Sequence, residues 1–306
     1  MSSGPSRNSD VFFRKKNRML RGVRKVATST HRSSGPGGPR GQSGRATEIL
    51  REQREHVIRG TIANRSVETH FQPIVDLRSG RPVGAEALSR FRQLPSRAPD
   101  AWFAEAAAVG LGVELELIAL EVALGQLHLL PTAVYVSLNA SVETIMTEEF
   151  HAMLSDATAE RIVLELTEHT QVSDYLLLER SIGDLRSQGV RLAVDDAGAG
   201  YSSLLHILSL KPDVIKLDIS LTRGIDKDPA RRSLGRALMA FGLDAYNASV
   251  VAEGIETKGE FDTLRALGCP QGQGFYLGRP GRLAGSRSHR FPTSSDIPAF
   301  RRLRPA

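Results

Sequence analysis

Leu192-Ala193-Val194-Asp195-Asp196-Ala197-Gly198-Ala199-Gly200-Tyr201-Ser202-Ser203 runs from an apolar segment into two adjacent carboxylates and then into a glycine-rich turn. A buried strand that ends in neighbouring aspartates raises both pKa values unless a cation or a cluster of donors offsets the repulsion. A divalent metal is the simplest such partner. Taken alone, the dipeptide also suits a solvated loop or a helix cap.

Outward from this stretch, short strand-like runs alternate with longer helical ones. His70 to Leu77 and Val83 to Leu88 flank the tight Arg78-Ser79-Gly80-Arg81-Pro82 turn, which predicts an antiparallel pair. A helical region follows over Ala101 to Leu129, broken around Gly110 and Gly112. Ala133 to Asn139, Arg161 to Thr167, Val190 to Asp195, Val214 to Asp218, Ser249 to Glu253 and Gly274 to Leu277 then read as strands separated by amphipathic helices. Eight strands in this order predict an α/β fold, a modified (β/α)8 TIM-like barrel with an antiparallel first strand. An open doubly wound sheet is the other architecture compatible with the pattern.

The 306 residues are 41% apolar and 24% charged, a globular composition. No apolar run is long enough to cross a bilayer, and the lone Cys269 has neither a disulfide partner nor a metal-ligand spacing. A soluble protein of a reducing cytoplasm is expected. The net charge of +6 is unevenly spread: residues 1–45 carry eleven Lys/Arg against one acid, Asp10, which leaves the remainder near −4. Arg14, Lys15, Lys16, Arg18, Arg21, Arg24 and Lys25, interleaved with Phe12, Phe13, Leu20 and Val23, offer a weak contact to an anionic surface. The other reading is a disordered, solvating tail and linker over 1–45, since Ser33 to Pro39 has little apolar surface to order it. Met19 offers a second start, and no secretory leader is evident. Residues 284–306, rich in Ser, Pro and Arg, read as a flexible C-terminal tail.

Placed on the predicted strands, Glu86, Asn139, Glu165, Asp195, Asp196, Lys216, Asp218, Glu253 and Gln273 fall toward strand C-termini, where a barrel brings distant residues together. Singly, each has a plain alternative. Glu86 suits an ion pair with Arg90, Asn139 a cap for a helix near Ser141, and Lys216 with Asp218 a structural salt bridge. Together they imply one site, because buried charges without partners cost several kcal/mol apiece. Oxygen donors without His or Cys suit Mg²⁺ or Mn²⁺ better than Zn²⁺.

Phe71-Gln72-Pro73-Ile74-Val75-Asp76, Glu86-Ala87-Leu88-Ser89-Arg90, Val136 to Ser141, Glu165-Leu166-Thr167-Glu168, the Asp195-Asp196 loop, Ile215 to Asp218, Ala252-Glu253-Gly254-Ile255-Glu256 and Gln273-Gly274-Phe275 occur in one order. In combination they resemble the EAL-domain phosphodiesterases, which hydrolyse cyclic di-GMP. The domain so implied spans 46–283, with its motifs from His70 to Pro280. The resemblance implies two Mg²⁺ or Mn²⁺ ions held by Glu86, Asn139, Glu165, Asp195 and Asp196, with Lys216 and Glu253 at the attacking water. It places Gln72, Leu88, Arg90 and Gln273 on the substrate side, Glu168 as support for the loop after the aspartates, and Asp218 and Glu256 in supporting roles. The implied reaction opens cyclic di-GMP to linear pGpG and lowers the level of this second messenger. A non-hydrolysing cyclic di-GMP receptor of the same fold is the alternative. A homodimer is also implied, and no nucleic acid is required. One departure stands out: Ala197 and Ala199 occupy positions where many members carry Phe and Thr.

Overall fold

The computed structural model describes residues 40–93, 97–155, 159–166, 175–198, 201–283 and 291–300. The chain divides into two compact units, Met1–Thr47 and Glu48–Ala306. Of the first, only the start of helix α1 (Arg40–Ala63) is described, and this helix begins inside the stretch read from sequence as tail. The basic segment around Arg14 to Lys25 lies outside the described residues.

The second unit is a closed barrel of eight strands in sequence order, as the alternating pattern predicts. Strand β1 (Val67–Asp76) pairs antiparallel with β2 (Pro82–Phe91), and the tight turn between them has Gly80 at φ +73°. Helices α2 (Pro99–Ala108) and α3 (Gly112–Leu124) are separated at Gly110, whose φ of +78° a helix cannot absorb. Strand β3 (Tyr135–Asn139) follows, then α4 (Val142–Ile145), α5 (Glu148–Ser155), β4 (Ile162–Leu166), α6 (Tyr175–Ser187) and β5 (Arg191–Ala197). The chain continues through α7 (Tyr201–Leu210), β6 (Val214–Leu217), α8 (Ile219–Thr222), α9 (Pro229–Tyr246), β7 (Ser249–Ala252), α10 (Lys258–Ala266) and β8 (Gln271–Gly272). From β2 to β8 every neighbouring pair is parallel, and β8 closes antiparallel onto β1, so the open sheet is excluded.

The last strand differs from expectation. Gly274 to Leu277 is a turn, with Leu277 and Gly278 donating their N–H groups to the Gly274 carbonyl at 3.0 and 2.9 Å. Its Phe-Tyr-Leu composition suits a strand, but Gly274 sits where a Cβ would lie 2.2 Å from the Ile255 carbonyl oxygen. The pairing falls instead on Gln271 and Gly272.

Apolar side chains pack between the strands and the helices outside them, where Leu138, Ile162, Leu164, Val194, Ile215 and Val250 are almost fully buried. Inside the barrel, Ile74, Tyr135, Val163, Ala193, Val214 and Val251 form an apolar floor, one residue from each of six strands. Strand side chains alternate, so the residues two steps nearer the rim share that interior. They are Gln72, Ser137, Glu165, Asp195, Lys216 and Glu253, and the floor thereby separates a charged upper layer from the far end. There Tyr135 donates to Gln271 at 2.7 Å, and Gln271 donates to Ser249 at 3.1 Å.

Within the stretch read as a C-terminal tail, residues 291–300 pack on the barrel. Phe291 and Ile297 are buried, and the Phe300 ring lies against Gly80 and edge-on to Phe261. Isolated apolar residues among Ser, Pro and Arg carry no periodicity, which is why this packing is not visible in sequence.

Candidate active site

Lys216 is the centre of the upper layer. It is 1% exposed. Its Nζ lies 2.6 Å from Glu165, 2.7 Å from Glu253, 3.4 Å from Asp195 and 3.8 Å from Glu86, carboxylates brought in by β4, the end of β7, β5 and β2. Ser137 donates to the other oxygen of Glu165, and Asn139 donates to Glu86 at 3.2 Å. Gln273 donates its amide to both Glu86 and Gln72, while Gln72 donates to the Gly278 carbonyl at 3.0 Å. Eight of the predicted residues, Gln72 among them, thus form one hydrogen-bonded and ion-paired network.

Asp196 joins through a backbone irregularity. Val194 pairs with Ile215 and Ala197 with Leu217, so β5 takes three steps where β6 takes two. This bulge holds Asp196 at φ +56°, a left-handed conformation that Asp tolerates better than most residues. Adjacent residues of a regular strand face opposite ways; across the bulge both carboxylates reach the same side. Ligand oxygens of Asp195, Asp196 and Glu253 lie within 4.8 Å of one another.

The charge balance is lopsided. Four carboxylates surround one ammonium, and a fifth, Asp196, stands beside Asp195 and Glu253, so acids outnumber the base. Burial pushes the Glu165 carboxyl up to about 8, with Lys216 opposing the rise and Glu86 and Asp195 adding to it. Burial and Asp195 push Glu253 well above the usual carboxylate range. Burial alone would lower the Lys216 ammonium, but Asp195, Glu165, Glu253 and Glu86 outweigh it and hold the lysine charged.

Other predicted residues make further contacts around the rim. Arg90, half-buried near the rim end of β2, donates to the Ser89 carbonyl at 2.8 Å, and Leu88 is half-buried on the same strand. Asp218 caps α8 by accepting the Ser220 N–H at 2.8 Å. Glu256 pairs with Arg223 at 3.0 Å on the loop after β7. Ser141, not Asn139, caps α4. Glu168 and Ala199 lie outside the described residues.

Residues 55–280 match the EAL domain family. The chain belongs to that family. Cyclic di-GMP phosphodiesterase PA2567 of Pseudomonas aeruginosa is 33% identical to this EAL domain protein over 221 residues, 69% of this chain and 38% of that protein. The phosphodiesterase of PaMucR, from the same organism and solved with c-di-GMP, superposes with a TM-score of 0.67 at 28% identity, covering 75% of this chain and 98% of that one. BlrP1 of Klebsiella pneumoniae, solved with manganese and cyclic di-GMP, superposes at 0.62 with 26% identity over 71% of this chain and 56% of that one. The chain spans only 34–38% of the length of the curated relatives MucR and PA2567.

Two features of this EAL domain escape the motif reading. Ser137 sits two residues before Asn139 on β3, and strand parity alone is enough to turn both inward. Glu260, beyond the last acidic motif, carries no periodic or spacing signal of a site, yet it is buried beneath the loop that follows Glu253. Ala197, the departure from the common pattern, is fully buried among Leu217, Leu221 and Leu238.

Proposed function

We propose that this EAL domain is a divalent-metal-dependent phosphodiesterase that hydrolyses cyclic di-GMP to linear pGpG and so lowers the second messenger. One observation carries the reading: four carboxylates converge on a single buried lysine, with a fifth, Asp196, beside two of them, at the rim of a barrel whose relatives include one named for this reaction. The donor set suits hard cations. It offers carboxylate and amide oxygens, more acids than bases, and a buried Gln273 Oε1 without a hydrogen-bond partner among the described residues.

Glu86, Asn139, Glu165, Asp195 and Asp196, with Glu253 beside them, would hold two Mg²⁺ or Mn²⁺ ions. Such ions, when bound, make water acidic enough to ionise near neutral pH and offset charge growing on the leaving oxygen. The protein's own groups supply the rest. Glu253, paired with the Lys216 ammonium at 2.7 Å, accepts a proton from the attacking water at a carboxylate oxygen. The water oxygen bonds to one phosphorus in line with the ribose 3′ oxygen, whose bond to phosphorus breaks and which takes a proton from solvent water, while Glu253 returns its own proton to solvent. Lys216, permanently charged, keeps Glu165 and Glu253 turned to the site. Arg90 takes a phosphate and Leu88 and Gln273 the substrate side, while Gln72 fixes the Gln273 amide. Glu168 supports the loop after the aspartates, and Asp218 and Glu256 set the rim loops. A homodimer belongs to the same reading and is checked by light scattering.

The test is hydrolysis by the purified protein with Mg²⁺ or Mn²⁺, beside Glu86→Ala and an EDTA control. Linear pGpG that forms with metal and disappears in both controls is expected. Cyclic di-GMP that binds and stays intact with every metal would make the protein a receptor.

A further inference from the structure

Glu260 stands on α10, one turn into a helix outside the barrel, and is 4% exposed. It is ideally placed as the third residue of a capping box, whose other half is Thr257. A capping box asks for one contact from this side chain, to the Thr257 N–H, made here at 3.0 Å. Glu260 makes two more. The same oxygen, Oε2, accepts the Glu256 N–H at 3.0 Å, and Oε1 accepts the Gly224 N–H at 2.9 Å. Gly224 lies just past α8 in the connection that follows β6, the strand of Lys216; Glu256 belongs to the loop after β7, which opens with Glu253.

The two loops meet closely. A Cβ on Gly254, which has φ +65°, would lie 2.2 Å from Ile219 of α8. Arg223 and Glu256 pair across the same junction. On its other flank the β7 loop is pinned to β8, where Ile255 donates to the Gln273 carbonyl at 3.0 Å and accepts from the Tyr276 N–H at 3.0 Å. Glu260 is therefore a buried side chain that joins the β6 side to the β7 side beyond the strand bond from the Glu253 N–H to the Leu217 carbonyl at 3.0 Å, while Ile255 joins β7 to β8. Three N–H donors on one carboxylate make charge-assisted bonds that leave it little freedom to shift.

We infer that Glu260 is a positioning residue for the site: by clamping the loops after β6 and β7 it sets the distance between Lys216 and Glu253 and so the shape of the oxygen-donor set that receives the cations. This rests on the metal-dependent reading above. Groups behind metal ligands carry roughly 10- to 100-fold of metal affinity or activity.

The experiment is Mn²⁺ binding to the full chain, followed by the free-ion electron paramagnetic resonance signal and by calorimetry, together with thermal melts. Glu260→Gln keeps the side-chain shape but replaces one acceptor oxygen with a donor that faces an N–H. Thr257→Val breaks the capping box and leaves the three N–H groups with their acceptor. Glu260→Asp keeps the charge but is one methylene too short to serve both loops, and covers the case in which the glutamine variant does not fold. The expected result is Mn²⁺ affinity reduced about 10-fold or more in Glu260→Gln and Glu260→Asp, and unchanged in Thr257→Val although its melting temperature falls. Equal Mn²⁺ affinity in the wild type and in folded Glu260 variants would overturn the inference and leave Glu260 a helix cap. Absence of Mn²⁺ binding by the wild type would overturn the reading of the site itself, and this inference with it.

Discussion

At the residue scale, Lys216 decides the electrostatics. A lysine with almost no exposure is tolerable because four carboxylates face its ammonium, and those carboxylates are tolerable in part because the lysine is there. Removing one side of such an arrangement costs more than the arrangement contributes. Lys216→Met is expected to lower stability in EDTA by about 3–5 kcal/mol, measured by urea unfolding, with Mn²⁺ restoring part of the loss. Cys269 illustrates the opposite case, a titratable group with no partner in the chemistry. Burial pushes its thiol up to about 12, so the thiolate that reacts with disulfide reagents is scarce at ordinary pH. Native protein should react with a chromogenic disulfide at pH 8 far more slowly than protein in guanidinium; equal rates would mean that the residue is accessible. Residues whose type is unusual for their setting, such as Lys216 and Asp195, were legible in sequence. Ser137 was not, because a serine in an apolar strand is unremarkable until its partner, Glu165 on the next strand, is known.

At the scale of elements, the β5 bulge matters most. Asp195-Asp196 read as a pair in sequence, yet nothing local says that a strand can present both on one side. The register shift against β6 does so, and it places a non-glycine residue at φ +56°. Asp196→Asn preserves the tolerance for that conformation while removing one of the crowded charges. In EDTA its melting temperature is expected to rise above that of the wild type, because repulsion falls, while Mn²⁺ affinity drops by about tenfold or more; a lower melting temperature would mean that the charge is structurally required. The misplacement of the last strand has an equally local cause. Phe275-Tyr276-Leu277 has the composition of a strand, but Gly274 approaches the Ile255 backbone so closely that the chain turns there. Gly274→Ala should cost about 2–4 kcal/mol in unfolding experiments, as strain and steric displacement together.

At the scale of the whole molecule, closure of the barrel creates the site by setting a floor of apolar side chains beneath a layer of acids. The crowding of carboxylates above that floor makes cation binding and stability one quantity, so saturating Mn²⁺ should raise the melting temperature of the wild type by several degrees, an effect lost in Glu86→Ala. The C-terminal segment also belongs to this scale. Phe291, Ile297 and Phe300 cover the barrel, and a chain ending at residue 283 should lose about 3–6 kcal/mol of unfolding free energy. By itself the sequence determined the alternation of strands and helices, which a barrel and an open sheet share until β8 closes onto β1, and the identities of the acids at strand ends, because apolar periodicity and turn residues act over a few neighbours. Only the tertiary structure decided which oxygen faces which cation, that Asp196 turns in beside Asp195, that Glu260 clamps two loops, and that residues 291–300 pack on the barrel. These depend on strand register and on contacts between residues far apart in the chain, which no local pattern encodes.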